Sequence, residues 1–259
     1  MISDRFSNKT ILRSLLIVLA CFALFEISAS RENGSALNET GPTVVNGGGI
    51  TGVVRFPEAY PEREKITITK DQQVCRAFQY SEVFIVSEEN HGLKNVVITV
   101  ENVKGRKNAK EKSVATLNQQ GCQYIPHVQI VPVNTELQIL NNDALLHNVH
   151  AYRNGLDPKN TIFNKAQPKF LKKITQTLEK PGIYYFKCDV HEHMSAYVAV
   201  VDHPYHAVTD ENGQFTIAGV PAGTYTVRAW HEALGTLEKT VTVSADKSAE
   251  VKFEILPNE

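Results

Sequence analysis

Neither sign of charge dominates this chain: 27 Lys and Arg stand against 28 Asp and Glu, a formal net charge of -1. That balance supplies no global field to draw nucleic acid or anionic lipid. The chain also lacks the ~20 consecutive apolar residues that a membrane-spanning helix needs; its apolar N-terminal run covers only residues 15–25. No segment repeats apolar residues at helical spacing over three turns, which argues against a helical fold. Cysteine is scarce, four in 259 residues, so each one asks for a reason.

The N-terminus carries the first positive signal. Lys9 and Arg13 precede the apolar run, and Ser28, Ala29 and Ser30 follow it. A basic region, a short apolar region and small residues, in that order, make a secretory signal. Residues 1–30 are therefore read as a signal peptide, and the mature protein as periplasmic or secreted. The alternative is a retained or lipidated N-terminus, with Cys21 after Leu19 and Ala20, which would anchor the chain to a membrane facing the periplasm. Cleavage leaves Cys75, Cys122 and Cys188, an odd number in an oxidising compartment. Residues 31–49 are rich in Asn, Gly, Ser and Thr and read as a flexible linker, with glycosylation sequons at Asn33 and Asn38.

From Ile50 onward the pattern is one of short strands. Residues 50–56 and 95–100 are two, and residues 136–140 alternate polar and apolar as a half-buried strand does. Residues 183–188 put Tyr184, Phe186 and Cys188 on one face, and residues 197–201 are apolar throughout. Many short strands with regular turns predict an all-β sandwich. The charged stretch 104–112 reads as an exposed loop, and Pro204 marks a second break. These breaks divide the chain into an N-terminal β segment at 50–112, a middle domain at 113–203 and a C-terminal module at 204–259.

The chemistry concentrates in Cys188-Asp189-Val190-His191-Glu192-His193-Met194, just after a strand. A thiolate, an imidazole and a thioether fall within one turn. Soft sulfur beside imidazole suits copper, whereas a structural zinc site would want more thiolates. A second imidazole comes from His147-Asn148-Val149-His150, downstream of Asn141-Asn142-Asp143. Two His and one Cys in a plane, with a weak axial Met, make a type 1 (blue) mononuclear copper site. The expected metal ligands are His147, Cys188, His191 and Met194. His193 stands as the alternative to His191. His127, His150, His203, His206 and His231 lack ligand spacing and read as surface or edge histidines, with a second metal site among them as the alternative. Trp230-His231 reads as a structural strand end. Lys165, Lys169, Lys172 and Lys173 form a basic stretch that would suit docking of an acidic redox partner.

Residues 122–202 resemble the cupredoxins, the plastocyanin and amicyanin superfamily, in Pro126-His127-Val128, in Asn141-Asn142-Asp143 leading to His147-Asn148, and in Pro181-Gly182-Ile183-Tyr184-Tyr185-Phe186-Lys187-Cys188. The Cys188-x-x-His191-x-x-Met194 spacing is similar to the short ligand loop of amicyanin-like members. The resemblance implies a Greek-key β-sandwich, and a backbone N–H of Asn148 facing the thiolate sulfur. With Cys188 committed to metal, Cys75 and Cys122 are expected to pair as a disulfide. Residues 209–256 resemble the carboxypeptidase regulatory-like, transthyretin-like β-sandwich module, which carries no reactive cluster here. Every proposed ligand precedes residue 201, so a chain ending there is expected to keep the site.

The expected function is an exported one-electron carrier and not an enzyme. Lys187 and Asp189 flank Cys188 where His would flank it in a multicopper enzyme, and the loop lacks the second Cys of a binuclear centre. The implied partner is a redox protein such as a cytochrome or an oxidoreductase. The alternatives are a copper-binding delivery or sensor protein, and a structural or adhesion module with incidental copper.

Overall fold

The computed structural model describes residues 47–57, 62–103 and 113–256, all within one compact unit, residues 44–259. The expected signal peptide, both sequons, most of the linker and the charged stretch 104–112 lie outside the described residues. The regular secondary structure of the described residues is β-strand apart from one four-residue α-helix and one 3-10 turn, and it forms two sandwiches.

The first sandwich pairs a five-stranded sheet with a four-stranded one. The larger runs β10 (Thr161–Gln167), β9 (His147–Arg153), β12 (Gly182–Lys187), β13 (Ser195–Val201), β7 (Val128–Pro132). The smaller runs β11 (Lys173–Leu178), β8 (Thr135–Asn141), β5 (Val114–Gln119), β6 (Tyr124–Ile125). One pair in each sheet is parallel, β13 with β7 and β5 with β8, and the rest are antiparallel. The alternation of residues 136–140 becomes a strand that buries Thr135, Leu137, Ile139 and Asn141 on one face. Leu117, Leu137, Ile139, Val149, Phe186, Val198 and Met194 fill the space between the sheets.

The second sandwich places β15 (Gln214–Val220), β1 (Gly48–Arg55) and β18 (Ser248–Glu254) over β14 (His206–Val208), β4 (Val97–Glu101), β16 (Gly223–His231) and β17 (Gly235–Val243). Residues 50–112 therefore do not stand as a segment of their own. β1 lies between the two strands β15 and β18, and β4 between β14 and β16. β1 is held so closely that a Cβ on Gly52 would lie 2.1 Å from the Val251 carbonyl oxygen. Ile50, Val54, Ile98, Phe215, Val227, Val241 and Phe253 form its core.

Ala199 of β13 and Val128 of β7 pack on Val97 of β4, with Tyr197 and Trp230 beside them. This contact joins the sandwiches and accounts for the unbroken apolar run of β13, which is buried on both faces over its second half. Between β1 and β4 the chain leaves the second sandwich to build a small lobe. It consists of the hairpin β2 (Lys65–Thr67) and β3 (Phe78–Tyr80) with helix α1 (Gln72–Cys75) between them. A disulfide from Cys75 to Cys122 ties that lobe to the first sandwich.

Candidate metal centre

β9 and β12 are adjacent antiparallel strands, and their neighbouring ends deliver His147 and the turn that follows Lys187. Tyr124 holds the two together: its hydroxyl lies 3.0 Å from the Asn148 carbonyl and 3.3 Å from the Lys187 carbonyl, donating between them. The turn is closed by the Met194 N–H donating to the His191 carbonyl at 2.9 Å. Asp189 locks it to β9. Its N–H donates to the Asn148 side-chain oxygen, and its carboxylate accepts from Asn148 Nδ2 at 2.9 Å and Asn164 Nδ2 at 3.0 Å. Burial alone would raise the Asp189 pKa, but the Lys187 ammonium and these donors hold it far below the usual carboxylate range.

Cys188, His147 and His191 converge. Cys188 Sγ lies 3.9 Å from Nδ1 of each histidine, and the two Nδ1 atoms are 3.1 Å apart. All three residues are buried, and Cys188 is the free cysteine among the described residues. The Asn148 N–H points at Sγ from 3.4 Å. Burial pushes the Cys188 thiol up, but His147 and the N–H groups of Asn148, His191 and Val190 outweigh it and bring the pKa below the ordinary value. Met194, 1% exposed, sits on the same turn and in the core. His193 instead directs Nε2 to the Cys122 carbonyl at 3.1 Å, outside the triad of donors.

Two carboxylates stand behind the imidazoles, and sequence reasoning found neither of them. Asp143 Oδ2 lies 2.8 Å from His147 Nε2 and also accepts the Cys122 N–H. Burial opposes charge on His147, yet Asp143 and Cys188 lift its pKa to about 9. Asp71, in the small lobe, places Oδ2 3.0 Å from His191 Nε2. For His191 burial prevails over Asp71, and its pKa falls below the ordinary histidine value. Asp143 had a local cue, four residues before His147. Asp71 is 120 residues from His191 in sequence, and no local pattern points to it.

The remaining histidines correct one expectation. His127, His203 and His231 are buried and not at a surface. His231 ends β16 and donates from Nε2 to the Val83 carbonyl at 3.0 Å. His150 pairs with Asp189 at 3.0 Å. Among the described residues none of His127, His150, His203, His206 and His231 joins a group of three metal-capable side chains. Lys165, Lys169, Lys172 and Lys173 are all exposed, although Lys172 also donates to the Asn141 carbonyl at 3.3 Å.

The model of the carboxypeptidase regulatory-like domain family matches residues 194–256, from the end of the turn after β12 through β18. No curated protein matches the chain. Of three solved structures to which it is similar, two are copper-containing by title. One is a copper-containing nitrite reductase from Thermus scotoductus SA-01, 21% identical, covering 35% of this chain and 23% of that one at a TM-score of 0.29. A reduced Cu(I) amicyanin mutant is 19% identical over 40% of this chain and 98% of its own, at a TM-score of 0.31. A purple cupredoxin from Nitrosopumilus maritimus is 20% identical over 35% of this chain and 100% of its own, at a TM-score of 0.29. The chain thus spans about a quarter of the nitrite reductase, and likeness at this level fixes neither site nor function.

Proposed function

We propose that the chain is an exported type 1 copper protein that carries single electrons, with His147, Cys188, His191 and Met194 as ligands. The observation that carries this reading is the convergence of one buried thiol on two imidazole Nδ1 atoms. Metal bonds of about 2.3 Å to sulfur and 2.0 Å to nitrogen, spread in a plane, would set sulfur about 3.7 Å from each nitrogen and the nitrogens about 3.5 Å apart. The separations of 3.9, 3.9 and 3.1 Å fit that to within a few tenths of an ångström. A thiolate with two imidazoles suits copper above the harder divalent ions, and bound copper would supply a one-electron couple. The surrounding residues favour fast exchange: Asn148, Asp189, Tyr124 and Asp143 hold the donors in place before the metal arrives.

Asp143, His147 and Cys188 would also describe an activated thiol nucleophile. Cys188 is 0% exposed and His191 stands as near to its sulfur as His147 does, so a substrate has no approach and the second imidazole has no role. A redox protein such as a cytochrome, docking near the exposed lysines 165, 169 and 173, is the proposed partner, and the periplasm or the cell exterior is the proposed location.

The test is the electronic spectrum of the copper-loaded protein. Thiolate bound to copper(II) gives an intense charge-transfer band that bleaches on reduction, and Cys188→Ser should remove it. Copper bound without that band would refute the reading.

A further inference from the structure

The Nε2 edge of His191 is closed by a piece of chain that belongs to neither sheet of the metal-bearing sandwich. Asp71 begins helix α1, yet it does not cap it: the side chain makes no hydrogen bond to the helix, and the residue adopts a left-handed backbone with φ 54° and ψ 35°. That conformation is uncommon outside glycine, and Asp is among the few residues that tolerate it. An Asp at a helix start ordinarily accepts from the helix N–H groups. Here the carboxylate turns away and takes the Nε2–H of His191 at 3.0 Å. His191 is left with a side chain 1% exposed while Asp71 keeps 30%.

The lobe that carries Asp71 is fastened on the same side. Cys75, four residues on, is bonded to Cys122, and both sulfurs fall within 4.8 Å of a His191 ring nitrogen. Gln79 donates to the Gly121 carbonyl at 2.7 Å and to the Cys75 carbonyl at 3.1 Å. Ile68 and Ala77 close the lobe at its base through a 2.9 Å backbone bond. The carboxylate is thus brought 120 residues along the chain and pinned next to one ligand.

We infer that Asp71 is a positioning residue of the metal centre: it fixes the His191 ring with Nδ1 toward Cys188, strengthens that nitrogen as a donor, and so favours the oxidised metal. The inference rests on the reading of the site as a copper centre. A carboxylate accepting the outer N–H of a ligating imidazole sets ring orientation and raises ligand basicity, and its loss typically costs about 10–100-fold in metal affinity. The negative charge acts more strongly on the higher charge of copper(II) than on that of copper(I).

The experiment measures copper(II) and copper(I) affinities and the midpoint potential of the full chain, with the absorption spectrum recorded throughout. Asp71→Ala should weaken copper(II) binding about 10–100-fold, weaken copper(I) binding less, and raise the potential. Asp71→Asn keeps an acceptor oxygen without the charge and should fall between, and it serves if the alanine variant does not fold. In the copper(I) form, the His191 Nε2–H resonance should be protected from solvent exchange and should lose that protection in Asp71→Ala. Glu250→Gln, at an exposed position, provides the control. An unchanged potential and affinity in the Asp71 variants of a coloured protein overturns the inference alone. A parent protein that binds copper without the thiolate band overturns the proposed function and this inference with it.

Discussion

The two histidines of the turn after β12 differ by two positions, and their side chains have different partners. His191 turns Nδ1 to Cys188, whereas His193 gives Nε2 to the Cys122 carbonyl. His193→Ala should therefore leave the charge-transfer band in place, while His147→Ala or His191→Ala should shift the band and weaken binding, as read by optical titration with copper. Met194→Leu should keep the band and move the potential, because an axial thioether tunes the metal more than it holds it. At this scale the sequence singled out residues that the fold does bring together: Cys188 and His191, three residues apart, meet His147 of the upstream His-Asn pair in one buried group. What escaped was the support. Asp143 and Asp71 are ordinary surface letters in a sequence, and only folding brings each within 3.0 Å of an imidazole.

Among elements, the strands that read most clearly were those with one wet face. The alternation of residues 136–140 survives in the inward set of β8, and Tyr184 and Phe186 share a buried face of β12 as expected. The order of strands was illegible, because β1 and β4 show the same apolar letters whichever sandwich receives them. The disulfide from Cys75 to Cys122 is the link between elements that the cysteine count anticipated. Peptide mapping without reductant should find that bond and a free Cys188. Closing a loop across a separation of 47 residues stabilises the folded state by about 4 kcal/mol in the chain-entropy treatment. Replacing both cysteines with alanine should lower the urea midpoint accordingly, and an unchanged midpoint would count against the bond.

At the scale of the molecule, the two sandwiches meet across a buried ion pair. His127 precedes β7 in the first, and Glu232 follows β16 in the second. Both ring nitrogens of His127 face acceptors: Nδ1 donates to the Ser195 carbonyl at 3.1 Å, and Nε2 faces Glu232 at 2.5 Å. Glu82 lies 4.0 Å away, and the Tyr197 ring packs edge-on. Burial opposes the charge, but Glu232 overcomes it and raises the His127 pKa. A raised histidine pKa contributes stability in full below the unfolded value of about 6.5 and loses it as pH rises through the folded value. Urea unfolding free energies should therefore decline above neutrality, and His127→Gln should flatten that decline. A chain ending near residue 201 keeps all four expected ligands and both sheets of the first sandwich. Such a chain deprives β1 of β15 and β18, and β4 of β14 and β16, and it bares the apolar face of the second sandwich.

The pairing of β1 with β18 also sets a clock. Gly49 lies beside Ser248, about 200 residues downstream, and a ribosome adding about 5–20 residues each second needs some 10–40 s to cover that distance. Until β15 (Gln214–Val220) is made, β1 has neither of its neighbours, and the lobe bearing Asp71 hangs from it. The two sheets of the first sandwich are complete in sequence by Val201, well before their fellow sandwich can close. In a chain folding as it is made, His147, Cys188 and His191 would all be present while the strand beside their cover still waits for its partners.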